Sequence, residues 1–155
     1  MLLEIRSQLE KSLGLALPDF NKFSARVTRI STGDLPFVNI YFHRDTLMEN
    51  QNHYENREVR FEIECCFVSE GDAEKELVFV RQKIEAAVES NKEFDALVTD
   101  WLLDEVDFGH DMAGESRVAA LSLTYRIQYQ KPRWLPKAPP LPQNLYVNGI
   151  KEDVN

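Results

Sequence analysis

Apolar and polar positions alternate along most of this chain with one of two periods, and the periods divide it into elements. In residues 2–14, Ile5, Leu9 and Leu13 recur every four positions, which places them on one face of a helix. Gly14 is a stop signal for that helix, and Pro18 forbids its continuation. Residues 23–30 then change to a period of two, with Phe23, Ala25 and Val27 opposed to Ser24, Arg26 and Thr28: a strand. Thr32, Gly33 and Asp34 form a turn, and residues 36–42 (PFVNIYF) form a second strand with Pro36 at its start. A hairpin joining these two strands is the simplest pairing.

Residues 43–56 (HRDTLMENQNHYEN) are polar, contain three asparagines and show no period, so they are expected to form a mobile loop extending from the body. Clean alternation returns in residues 57–68. Val59, Phe61, Ile63, Cys65 and Phe67 face one way, and Glu58, Arg60, Glu62, Glu64 and Cys66 the other, the pattern of a half-buried antiparallel strand. After a turn, Asp72 is placed to cap a helix over residues 73–90, whose stripe is Ala73, Leu77, Val80, Ile84, Ala87 and Val88, with Phe79 off the stripe and Asn91 at the end. Residues 99–108 predict a weaker strand, 109–114 a loop, and 118–130 a long strand with Ala119, Leu121, Leu123, Tyr125, Ile127 and Tyr129 on one face. The order predicts an α+β fold: an antiparallel or mixed sheet packed by two helices on one face.

From Lys131 onward the pattern stops. Five of the seven prolines lie there, which rules out regular helix or a central strand. Trp134, Leu135, Leu141, Leu145, Tyr146, Val147 and Ile150 are too apolar for a solvated tail. The chain therefore divides into a domain over residues 1–130 and an extended proline-rich arm over 131–155, expected to dock on its own domain or on a neighbouring subunit.

Composition narrows the function. The 155 residues are 43% hydrophobic and 28% charged, ordinary for a globular domain. No run of about 18 apolar residues offers a membrane span. Glu4, Arg6, Glu10 and Lys11 interrupt any signal-peptide core, so a cytoplasmic protein is expected. A net charge of −8 argues against a nucleic-acid binder, which needs a basic patch to displace counterions.

Catalytic candidates are weak. Cys65 and Cys66 are adjacent, so on a strand they point to opposite faces; they have neither the spacing of a redox pair nor partners for a zinc site. His43, His53 and Asp45 could share a metal, and Glu62 with Glu64, or Glu105 with Asp107, could do acid–base work, but loop histidines and a charged outer strand face are the simpler readings. His110 stands apart in Gly109-His110-Asp111. There is no nucleophile elbow and no glycine-rich phosphate loop. No cofactor and no catalysis are expected.

The order of motifs resembles the phage tail terminator family, the minor-tail-protein-U-like group of siphophages and prophages. Residues 35–41 (LPFVNIY) are similar to that family's LPAINVY strand. A variable polar segment, a strand over 59–68, a helix over 72–88 and a closing strand over 118–129 (VAALSLTYRIQY) follow in the family's order. The likeness covers residues 1–130 and does not extend into the arm. It implies a structural protein of the virion tail, assembled in the host cytoplasm as a homo-hexameric ring. The ring would cap the tail tube, stop its polymerisation and offer a surface to a head-completion or neck protein, while DNA passes through the lumen unbound. On that reading His43, Arg44, Asp45, His53, Glu62, Glu64, Trp134, Leu135 and Tyr146 are candidate subunit or partner contacts. Another neck or head–tail connector component is the nearest alternative. A small metal-dependent or acid–base enzyme is the alternative from a different class.

Overall fold

A computed structural model describes residues 1–24, 32–111 and 118–133. The elements are α1 (Leu2–Ala16), β1 (Asn21–Ser24), a short 3-10 turn (Thr32–Asp34), β2 (Phe37–Asn50), β3 (Tyr54–Val68), α2 (Ala73–Glu89), α3 (Lys92–Leu97), β4 (Asp100–Asp111) and β5 (Val118–Pro132). The strands form one sheet in the order β1-β2-β3-β5-β4, parallel between β1 and β2 and antiparallel elsewhere. Three helices pack on the sheet, an α+β architecture.

The core follows from the two periods. Phe61, Ile63 and Cys65 of β3 lie directly opposite Tyr125, Leu123 and Leu121 of β5, and all six are buried. Ile5, Leu9 and Leu13 from α1 and Leu77, Val80, Ile84 and Val88 from α2 close over them in one cluster. Burying each such side chain stabilises the fold by about 1.5–3 kcal/mol. The Phe61 and Tyr125 rings stack at 5.1 Å between centroids, and Trp101 joins them at 6.1 Å from Tyr125.

Several expectations are corrected. Strands near 23–30 and 36–42 do not form a hairpin: Asn21 to Ser24 pair in parallel with Phe37 to Ile40. The connection between them spans about a dozen residues, enough for the crossover that parallel strands need. The strand expected beyond Ser24 lies outside the described residues. Gly14 does not end α1. The stripe of Ile5, Leu9 and Leu13 continues to the buried Leu17, whose N–H closes the helix on the Leu13 carbonyl at 2.9 Å. A Cβ at Gly14 would sit 3.3 Å from the Lys22 side chain, so the glycine permits close approach rather than a stop. Residues 109–111, expected in a loop, belong to β4.

α2 ends at Glu89 with Ser90 as its C-cap, and Asn91, expected to end it, instead starts the unexpected α3. Its carboxamide oxygen accepts from Phe94 N at 2.9 Å, and its Nδ2 donates to the Gln8 carbonyl at 3.0 Å and to Ser12 Oγ at 2.6 Å. One buried side chain therefore caps one helix and ties it to another. The helical layer has three members, not two.

Candidate functional site

The segment over 43–56 is the largest departure from the expected fold. It is not a loop but the continuation of the β2–β3 hairpin, turning only at residues 51–53. Gln51 N donates to the Tyr54 carbonyl at 2.9 Å across that turn. β5 runs alongside to the tip, where Pro132 lies opposite Tyr54 and Arg133 N donates to the His53 carbonyl at 3.0 Å. The buried positions on the helix side of β3 end at Val59. β4 still flanks β5 at Gln128, and Tyr129, opposite Arg57, still belongs to the core; beyond that pair β2, β3 and β5 form a three-stranded tongue about 10 Å long.

The buried Tyr129 ends the core at the tongue's base, and beyond it the ribbon is mostly polar and held by cross-strand pairs. On its helix side Arg57 Nε donates to Asp45 Oδ1 at 2.9 Å and Arg57 Nη1 to Glu55 Oε2 at 2.8 Å. The Tyr129 hydroxyl donates to Asp45 Oδ2 at 2.8 Å. Asp45 and then Glu55 hold the guanidinium charge above its already high range. Burial, followed by Asp45, pushes the Tyr129 phenol up to about 12. Nearer the tip, Leu47 and Met48 are 46% and 56% exposed.

A β-bulge decides which face each candidate residue takes. Phe42 is opposite Phe61, and Arg44 is opposite Arg60, so His43 is an extra residue in β2. Regular alternation would put His43 and Asp45 on one face. The bulge instead turns Asp45 to the helix side, opposite Val59, while His43 Nε2 meets Glu62 Oε2 on the open side at 2.7 Å. His53 is exposed at the tip. The trio of His43, His53 and Asp45 is therefore not assembled, and among the described residues no three His, Cys, Asp or Glu side chains form a metal-binding group.

The sheet face away from the helices carries a polar row. The Ser122 hydroxyl donates to Glu62 Oε1, while Glu62 Oε2 meets His43. The Tyr41 hydroxyl donates to Glu64 Oε2 at 3.0 Å, and burial with this bond pushes the phenol up to about 12. Arg60 and Arg126 both reach Asp104, at 3.6 and 3.8 Å. Such partly exposed pairs contribute at most about 1 kcal/mol each. Asn39, opposite Glu64, is fully buried, and its side-chain amide atoms have no hydrogen-bond partner among the described residues. That costs about 1–3 kcal/mol, so a further polar group at this end of the face would be stabilising.

Chemically the row is quiet. In a serine hydrolase the imidazole takes the hydroxyl proton and the carboxylate stands behind it. Here the carboxylate lies between hydroxyl and imidazole. Burial pushes the Cys65 thiol up strongly and the Cys66 thiol, with Glu64, up to about 11, so both are protonated near neutral pH. The two sulfurs are free, Cys65 buried and Cys66 partly so, as alternation implies.

Arg44 is exposed on the open face opposite Arg60. Trp134, Leu135 and Tyr146 lie outside the described residues. Arg57 and Asp104 were not singled out in the sequence, and Tyr129 was read only as an inward position of the closing strand. Arg57 continues the inward positions of β3, a signal that extending that alternation by one step would have found.

No protein-family model matches this chain, and neither does any curated protein. Among the described residues no helix is long and apolar enough to cross a membrane. Among solved structures, a chain in the virion of a native gene transfer agent particle is similar to it at 15% identity, covering 83% of this chain and 93% of that one, with a TM-score of 0.39.

Proposed function

We propose that this chain is a structural virion protein of the tail-terminator type. Copies close into a ring at the head-proximal end of the tail tube and stop its growth. One rim meets the last ring of tube subunits and the other meets a head-completion or neck protein. DNA passes through without being bound.

The observation that carries this reading is the tongue. Three strands continue about 10 Å past the last buried residue on the helix side, Tyr129 opposite Arg57, and Leu47 and Met48 are exposed there. A polar extension of this kind brings its domain no hydrophobic stabilisation, and it suits contact with another subunit. The ordered resemblance over residues 1–130 points to the same class. Copies related by rotation make heterologous contacts, which form a ring when the rotation closes. The net charge of −8 suits a passage from which phosphate is repelled.

On this reading the protein is not an enzyme. The separation of His43 from Asp45 and the Ser122–Glu62–His43 order support that side of the proposal.

Size-exclusion chromatography with light scattering, followed by negative-stain imaging, tests ring formation. Particles with six-fold symmetry and a central hole are expected at high concentration. A strict monomer across the whole concentration range counts against the reading.

A further inference from the structure

At the end of the sheet opposite the tongue tip lies an apolar groove of about 530 Å³ between α1, α2 and the end of β3. That is within the roughly 300–1,000 Å³ usual for a binding cleft. Phe20 and Phe67 form its floor, their ring centroids 6.1 Å apart, with Leu17 and Pro36 beside them. Phe79, 57% exposed, stands on its wall, and Val68, 48% exposed, on its rim. Glu70 and Glu76 line the same groove, with Lys83 held over the Phe79 ring at 4.7 Å. Phe79, like Val78, lies off the buried stripe of α2 and is exposed, so core packing does not account for it.

We infer that this groove receives the proline-rich segment over residues 136–142, PKAPPLP, from a second copy of the chain. Four prolines in seven residues favour a polyproline II helix, which loses little entropy on docking and is read by aromatic-lined grooves. Lys137, in the Pro136-Lys137-Ala138-Pro139 stretch, has the charge to pair with Glu70 and Glu76.

Reach decides that the donor is another copy. Arg133, the last described residue, is tied to His53 at the tongue tip. Tyr54 and Phe67, at opposite ends of β3, are 13 residues apart, about 43 Å along the strand. Pro142 is nine residues beyond Arg133 and can lie at most about 32 Å from it even when fully extended. Measured along the strand, the end of the segment therefore stops about 10 Å short of its own groove floor. On a neighbour, by contrast, the tongue tip that launches the arm can lie against the groove end of the next subunit.

This deepens the ring reading and rests on it for the presence of the second copy. Full-length Ala138→Cys and Val68→Cys chains, prepared separately, are mixed and oxidised, with the mass followed by light scattering. A disulfide joining the two variants is expected, absent from either alone and from the unsubstituted chain. Phe79→Asp, at an exposed position that leaves the core intact, should lower its yield about tenfold. Lys137→Glu should lower it about two- to fivefold, and Glu70→Lys should restore it.

A chain carrying both cysteine substitutions that closes only on itself in dilute solution would overturn the inference. A higher-mass assembly without the cross-link overturns the arm assignment and leaves the ring standing. Cross-linked open chains support the arm and contradict the ring. Monomer throughout, without cross-link, contradicts both.

Discussion

Arg57→Met isolates what holds the tongue. The substitution keeps an unbranched side chain on β3 but removes the guanidinium that bonds Asp45 at 2.9 Å and Glu55 at 2.8 Å. Two carboxylates are left on one face with only the Tyr129 hydroxyl between them and the core. A charge-assisted bond contributes about 1.5–3 kcal/mol when shielded. Here the side chains are 20–30% exposed, so screening lowers the expected loss to about 1–2 kcal/mol for the pair.

Because Tyr129 is the one core residue past Val59 among the described residues, this loss should fall mainly on local opening of the tongue rather than on global unfolding. Native-state hydrogen exchange followed residue by residue is the assay. Amides of residues 44–58 should exchange about 5- to 30-fold faster, while those of Phe61, Ile63 and Cys65 keep their rates. Repeating the comparison in 1 M salt should shrink the difference. A uniform acceleration across β3, or none, would refute the view that the tongue is a separate unit held by these pairs.

Three further outcomes follow from the same structure. Asn91→Ala removes a cap and two bonds to α1 and should cost about 2–3 kcal/mol, read as a shift in the urea midpoint without a change in slope; a loss below about 0.5 kcal/mol contradicts the role given to this side chain. Tyr41 and Tyr129 have phenols raised to about 12 in the folded state, above the unfolded value near 10. Their contribution is present below about pH 10 and is lost as pH rises towards 12, so stability should fall in that window, less steeply with both changed to Phe; a fall of equal steepness in that variant contradicts the assignment. In the folded protein Cys66 should react with an aromatic disulfide reagent about a hundredfold more slowly than a free thiol, and Cys65 only after unfolding; rapid labelling of both at pH 7 would contradict their placement.

The well-packed half of the fold was legible in the sequence. Alternation from Val59 to Phe67 and from Ala119 to Tyr129, and the Leu77–Val88 stripe, are patterns that burial itself imposes. The tongue was not, because a ribbon exposed on both faces has no reason to alternate, and its polar residues are those of a loop. His43 shows a second limit: one bulged residue reverses every face assignment after it, and nothing in HRDT marks it. The six-residue α3 is too short to show a period and depends on the Asn91 cap. Parallel pairing of β1 with β2 depends on the path between them, which local pattern does not encode. Of the candidate contact residues, Glu62 and Glu64 lie on the outward face expected of them, while Asp45, expected in a loop, lies in β2 on the helix side.

The central claim is that this chain ends tail-tube growth, and the distribution of tail lengths tests it most directly. Particles assembled from a genome lacking the chain should carry tails of uncontrolled length, unjoined to heads, with normal length restored by supplying the chain in trans. Tails of normal, uniform length in its absence would contradict the account.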